Sequence, residues 1–220
     1  MRNRHESGGL SGRLAEVLEF SRLALEHVTV ALCDESPTAP GALPGAGTAM
    51  HALRLAVSDQ AMAIRATRVR QSATSLPSVV AAAQVNADAA GLAAMVRRLA
   101  EIAASRPSRP MMPADVRAIV CRTGRACVEM MTMAAAVARP PQRIAEAAIC
   151  ARGAEMDQLR RRLHQLLLRE PDSVDVDAAL DASLACGYYR RCGDLAASMA
   201  EHAVLAAAGE PVRRGERALC

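Results

Sequence analysis

Apolar residues recur at intervals of three and four along most of the chain, and proline- or glycine-rich segments interrupt this pattern. Such spacing places apolar side chains on one face of a helix. The breakers divide the chain into six predicted helices, at about residues 10–33, 47–73, 77–104, 113–139, 141–169 and 174–209.

The predicted helices form two groups of three, separated by a proline-rich linker at 105–112. In each group the third helix is long and rich in alanine, which indicates an internal duplication. Antiparallel helices joined by short turns bury their apolar faces against each other. We therefore expect an all-α fold of two tandem three-helix bundles, at 10–104 and 113–209, with flexible ends at 1–9 and 210–220.

The sixth predicted helix carries the clearest pattern. Its apolar positions, mostly four apart, are Val176, Leu180, Leu184, Tyr188, Cys192, Leu195, Met199 and Ala203. They predict a single apolar stripe on this helix. Beside it runs a polar line of Arg190, Asp194, Ser198 and Glu201. Because side chains four residues apart on a helix are neighbours, Arg190 and Asp194 can touch.

The composition supports a helical protein and argues against nucleic-acid binding. Alanine and leucine dominate, while aromatic residues make up 1% of the chain. All 27 basic residues are arginines, spread along the sequence, and the net charge is a mild +4. Nucleic-acid binders usually concentrate basic residues and supply aromatic side chains for stacking. A basic transcriptional regulator is therefore the least favoured class, and we attribute the arginines to coding bias.

The sequence also predicts a cytoplasmic protein without a transmembrane segment. The first twelve residues are polar, and the longest apolar run, 130–138, is far too short to span a bilayer. The seven cysteines include no C-x-x-C pair, which argues against a zinc site and a disulfide framework. We expect them to be small buried side chains in a reducing cytosol, except Cys220, which is expected to be exposed on a frayed tail.

No catalytic constellation emerges from the sequence. The five histidines are scattered, and the segment GALPGAG lacks the Lys-Ser/Thr of a phosphate-binding loop. There is no G-x-S-x-G motif either. We therefore expect no catalytic residues. The methionines Met130, Met131 and Met133 are expected in the core or on an adaptable packing face.

The sixth helix, GYYRRCGDLAASMAEHAVLAAAGE at 187–210, resembles that of the PhoU family of phosphate-signalling proteins. Its matching positions are Tyr188, Arg191, Asp194, Ala196, Ala200, Glu201 and Gly209. The segment AEMDQLRRRLHQLLL at 154–168 resembles the family's preceding helix through Met156, Asp157 and Leu159. The resemblance covers residues 10–210 and is weaker in the first half.

The resemblance implies metal binding through Glu/Asp-x-x-x-Asp motifs, from which this chain departs. Gly153 and Arg190 stand where the family has the acids that precede Asp157 and Asp194. In the first half the third-helix positions are Ala90 and Ala94, with Asp88 off register, and GAGTAMH offers no carboxylate. We therefore expect no cofactor and a lost metal site.

In place of a metal, we expect Arg190 to bridge Asp194 and Asp157, with Arg191 bracing the same acids. Two alternatives stay open. Arg190 and Asp194 could form an exposed surface pair of little energetic weight, or the site could keep some metal affinity.

The resemblance further implies a non-enzymatic regulator of phosphate homeostasis. Its partners would be a phosphate transporter ATPase and a sensor histidine kinase, through which it represses the phosphate-starvation response and associates peripherally with the membrane. It also implies a homodimer, for which the methionine- and alanine-rich faces could serve. Arg160, Arg161 and Arg162 are either a surface for an acidic partner or anionic lipid, or a solvated face. The alternative is a diverged helical scaffold outside phosphate signalling.

Overall fold

A computed structural model describes residues 3–33, 76–105, 110–137, 146–169 and 174–208. Every regular element in these ranges is an α-helix, so the all-α class is confirmed. The helices are α1 (Asn3–Cys33), α2 (Leu76–Ser105), α3 (Ala114–Val137), α4 (Glu146–Arg169) and α5 (Val176–Ala208). The predicted helix at 47–73 and the tail at 210–220 lie outside the described residues, and the division into two repeats stays a prediction.

The helix ends follow local chemistry. Helix α3 begins directly after Pro113, whose carbonyl accepts a hydrogen bond from the Arg117 amide at 2.9 Å. Asp175 caps α5, because its carboxylate accepts from the amide of Asp177 at 2.8 Å. Helix α1 begins at Asn3, and the expectation of a flexible segment at 1–9 stays a prediction. Extending a helix that is already packed adds one hydrogen bond per residue and avoids the cost of a new nucleus.

The helices from the two predicted halves pack directly on one another. Helix α1 lies against α3, and α2 lies against α5; α3 and α5 also pack together, with α4 against both. Their buried side chains form one continuous apolar cluster. Among the described residues, none of the five helices has the length and hydropathy needed to cross a bilayer.

Helix α5 buries a different face from the one that its largest apolar side chains predict. Val176, Leu180 and Leu184 are 80%, 51% and 38% exposed, so the predicted stripe is wrong for this half of the helix. The core is reached instead by residues alternating four and three apart: Ala178, Ala182, Ala185, Tyr189, Cys192, Ala196 and Met199. This is a heptad row built mainly from small side chains.

Helical geometry explains the difference. With 3.6 residues per turn, a step of four residues rotates by roughly 40° beyond a full turn. Three such steps carry the row from Tyr188 back to Val176 about a third of the way around the helix. Alternating steps of three and four largely cancel this drift, and the buried row therefore stays against the core.

Three helices meet around Tyr189, which is fully buried. Its hydroxyl lies 2.8 Å from the hydroxyl of Thr29 on α1. Thr29 uses its only proton on the carbonyl of Leu25, at 2.7 Å, so Tyr189 is the donor to Thr29. Burial raises the pKa of Tyr189 well above its usual value, and the phenol stays neutral. A Cβ at Gly124 on α3 would lie 2.6 Å from Cγ2 of Thr29, so glycine leaves room for this contact.

The expectation of buried thiols is wrong for Cys33, Cys121 and Cys150, each of which is disulfide-bonded, while Cys220 lies outside the described residues. Cys33 on α1 and Cys121 on α3 form a disulfide with a Cα–Cα distance of 5.6 Å, within the range that the bond requires. Cys127, Cys186 and Cys192 are free and buried. Burial raises the pKa of Cys186 to about 11, so its thiol is unreactive at neutral pH.

Candidate functional site

Arg190 on α5 lies between two carboxylates that come from different helices. Its Nε donates to Oδ1 of Asp157 on α4 at 3.2 Å. Its Nη1 donates to Oδ1 of Asp194, one turn further along α5. The guanidinium therefore joins α4 to α5 through two charge-assisted hydrogen bonds made by different nitrogens.

Gly153 supplies the space for this guanidinium. A Cβ at position 153 would stand 3.7 Å from Nη2 of Arg190, which is ordinary van der Waals contact. A side chain longer than alanine would therefore compete with the arginine for the same volume. Gly153 and Arg190, which stand where the resemblance implies acids, thus fit each other sterically.

The cluster is partly shielded from solvent. The side chain of Arg190 is 14% exposed, against 30% for Asp157 and 39% for Asp194. Burial by itself lowers the pKa of Arg190, but the hydrogen bonds and charges of the two carboxylates outweigh it and raise the pKa. The arginine therefore stays charged, and each carboxylate keeps some water, which limits the strength of the pairs.

These residues do not fit a metal ion. Nη2 of Arg160 lies 3.7 Å from Oδ1 of Asp157, so two guanidinium groups balance the two carboxylates and leave no net charge to attract a cation. Hard cations need several oxygen ligands around them. Among the described residues, no group of three or more histidine, cysteine, aspartate or glutamate side chains is placed to hold a metal.

The other arginines that the sequence singles out lie at the surface. Arg191 is exposed and, within the described ranges, makes no ion pair with Asp157 or Asp194. The structure therefore separates it from the acids that it was expected to brace, because successive residues on a helix point about 100° apart. Arg161 and Arg162 are exposed on α4, while Arg160 reaches back toward Asp157.

A second polar contact ties α5 to α2 on its other side. Ser198 donates to Oδ2 of Asp88 at 2.7 Å, and Gln84 donates to Oδ1 of the same carboxylate at 3.2 Å. Asp88 is only 6% exposed. In the sequence, Asp88 is off the register of the motif and Ser198 lies on the polar line of α5, and neither position predicts the contact between them. A lone acid on an alanine-rich helix was the available signal, because such a group needs a partner once it is buried.

We predict that placing acids at positions 153 and 190 creates a metal site. The double substitution Gly153→Glu/Arg190→Glu places a carboxylate pair four residues apart on each of two adjacent helices, which is the arrangement that a divalent cation favours. Elemental analysis after dialysis against manganese or zinc is expected to find near-stoichiometric metal in the double variant and none in the parent protein.

The matched control is Gly153→Gln/Arg190→Gln, which has the same side-chain length without the charge and should bind no metal. Stoichiometric metal in the unaltered protein, or equal binding by the two double variants, would contradict this reading of the site.

Comparisons with known proteins agree with this architecture. No family model matches the chain. Two relatives, from Mycobacterium bovis and Mycobacterium tuberculosis, are each named phosphate-specific transport system accessory protein PhoU homolog 2. Each is 27% identical over 202 residues, which cover 91% of this chain and 93% of the relative. PhoU homolog 1 from Mycobacterium leprae is 26% identical over 213 residues, with 91% and 90% covered.

A solved structure supports the fold. The crystal structure of PhoU from Pseudomonas aeruginosa matches with a TM-score of 0.69 at 16% sequence identity. The match covers 94% of this chain and 99% of that one. At this identity, the structural match speaks for the fold alone.

Proposed function

We propose that this chain is a diverged member of the PhoU family and an accessory and regulatory protein of phosphate transport. The observation that carries the proposal is sequence similarity along 91% of the chain to proteins named as accessories of phosphate-specific transport. The similarity extends over nearly the whole of those relatives, so it concerns the protein as a unit and not a shared segment.

The finer proposal is a non-enzymatic adaptor in the cytoplasm. It binds the ATPase of a phosphate transporter and a sensor histidine kinase, and represses the starvation response when phosphate is plentiful. The exposed guanidinium groups of Arg161 and Arg162 on α4 support this proposal. Without local ion pairs in the described ranges, they are available for acidic patches, which chiefly affect association rate and specificity.

Deletion of the gene tests this function. At high external phosphate, we expect alkaline phosphatase to be derepressed in the deletion strain and repressed again when the intact protein is supplied. Phosphate uptake, measured in the same cultures, reports the transporter directly. Unchanged phosphatase and unchanged uptake in the deletion strain would overturn the proposal.

The partner surface is tested by charge reversal. Arg161→Glu/Arg162→Glu is expected to lose repression while the helical content and the melting temperature stay unchanged. Arg125→Glu on α3 is the matched control, because Arg125 is also exposed and makes no ion pair in the described ranges. Equal repression by the two variants would remove Arg161 and Arg162 from the proposed surface.

One observation favours a second candidate, a helical scaffold that has left phosphate signalling. A glycine and an arginine that fit each other stand at positions 153 and 190, where the resemblance implies acids. For such a scaffold, deletion leaves the phosphate response intact, and a pull-down recovers neither transporter nor kinase components.

A further inference from the structure

An apolar row lies open on the outer face of α5. Val176, Leu180 and Leu184 follow one another at intervals of four and are 80%, 51% and 38% exposed, and the partly buried Tyr188 continues the row. Beside it, a Cβ built on Gly187 meets no atom within 4 Å. The face is therefore apolar, and at Gly187 it is open enough for another backbone to come close.

Opposite charges mark the two ends of this row. Asp177 is exposed in the first turn of α5, and Arg191 is exposed two turns beyond Leu184. Each lies seven residues from Leu184, one before it and one after it. Within the described ranges, neither side chain forms an ion pair. The row thus has an apolar centre, a negative end and a positive end.

We propose that the part of this row from Leu180 to Tyr188 is a homodimer interface, in which the α5 helices of two copies pack antiparallel about a two-fold axis at Leu184. A two-fold axis brings the same patch of both copies together, so the patch must complement itself. With the axis at Leu184, that residue faces its own copy and Leu180 faces Tyr188. The same axis sets Asp177 opposite Arg191 at both ends.

The arrangement of charges singles out a second copy as the occupant. An acid and an arginine equidistant from the central leucine are what an antiparallel pair of identical helices needs, whereas an unrelated partner needs no such symmetry. The apolar centre provides burial, and the charged ends fix the register and direction of the two helices. Gly187 lies three residues from the axis and has no side chain, so the two helices can approach each other closely at this position.

This interface differs from the methionine-rich face that the sequence suggested for a dimer. Met130 and Met131 are 2% and 0% exposed, so they belong to the protomer's own core. The interface goes beyond the proposed function and does not depend on it, because a scaffold could dimerise through the same face.

Sedimentation equilibrium of the full chain tests the interface. Leu184→Glu sets two carboxylates against each other on the axis, and is expected to raise the dimer dissociation constant by about 100-fold or more. The matched control is Leu23→Glu on α1, where the leucine is 41% exposed, close to the 38% of Leu184. The control is expected to dimerise as the parent does, and circular dichroism checks that both variants are folded.

Exchanging the charges at positions 177 and 191 distinguishes this antiparallel dimer from a dimer of any other geometry. Asp177→Arg and Arg191→Asp each set like charges against each other, and are each expected to weaken the dimer by about tenfold. The double variant Asp177→Arg/Arg191→Asp restores opposite charges at both ends and should recover parental affinity. Additive weakening in the double variant would overturn the proposal, as would a parent protein that stays monomeric at the highest attainable concentration.

Discussion

Replacing Tyr189 with alanine is expected to lower the free energy of unfolding by about 3–5 kcal/mol, the usual cost of deleting a buried aromatic side chain. Tyr189 is fully buried where α1, α3 and α5 meet. Its neighbours along the buried row of α5 are mostly alanine and cysteine, which are too short to fill the space that the ring leaves. Urea denaturation followed by circular dichroism measures the loss.

The adjacent tyrosine provides the control. Tyr188→Ala removes the same atoms from a position that faces partly outward, and should cost about 1 kcal/mol or less as a monomer. Tyr189→Phe keeps the ring and removes only the hydrogen bond to Thr29, for about 1 kcal/mol. Equal losses at positions 188 and 189 would contradict the orientation of α5.

Removal of the disulfide is expected to cause a loss of similar size. Cys33 and Cys121 are 88 residues apart in the sequence. Closing so long a loop restricts the unfolded chain, and stabilises the folded state by about 2–4 kcal/mol. Cys33→Ala/Cys121→Ala should therefore lower the melting temperature by roughly 5–15 °C under non-reducing conditions.

The same two proteins measured in reductant provide the control, because reduction opens the bond in the parent and leaves the variant without a bond to lose at these positions. The difference in melting temperature should then largely disappear. A difference that persists in reductant would mean that the cysteines stabilise the protein by packing. Thiol trapping in cells reports which form is present there, which matters because disulfides are uncommon in the cytosol.

The sequence predicted the helices well wherever a residue terminates or caps a helix. Pro113 cannot continue a preceding helix and suits a first turn, and α3 begins directly after it. The face that α5 buries was not predictable in the same way. Leucine and valine carry most of the hydropathy of its first half, whereas the buried row uses alanine and cysteine. The weak periodic pattern of alanine and cysteine is therefore hidden by the stronger pattern of leucine and valine.

The candidate site was only partly predictable, for a related reason. Position 190 could be identified because a family pattern fixes its register, and a four-residue spacing brings Arg190 near Asp194 whatever the tertiary fold. The contact with Asp157 depends on how α4 lies against α5, which the family's paired motifs imply. No such pattern covers the pairing of Asp88 with Ser198 or of Thr29 with Tyr189. Both depend on helix packing that brings distant segments together.

The guanidinium of Arg190 between α4 and α5 also determines whether the stability of this contact depends on the supply of an ion. A dissociable ion stabilises a fold by an amount that rises and falls with its free concentration. Arg190 is carried on the chain itself, so its positive charge remains beside Asp157 and Asp194 whatever the surroundings supply. The contact between these helices is therefore insensitive to cellular iron, zinc or manganese, and starvation for any of them leaves this part of the fold intact.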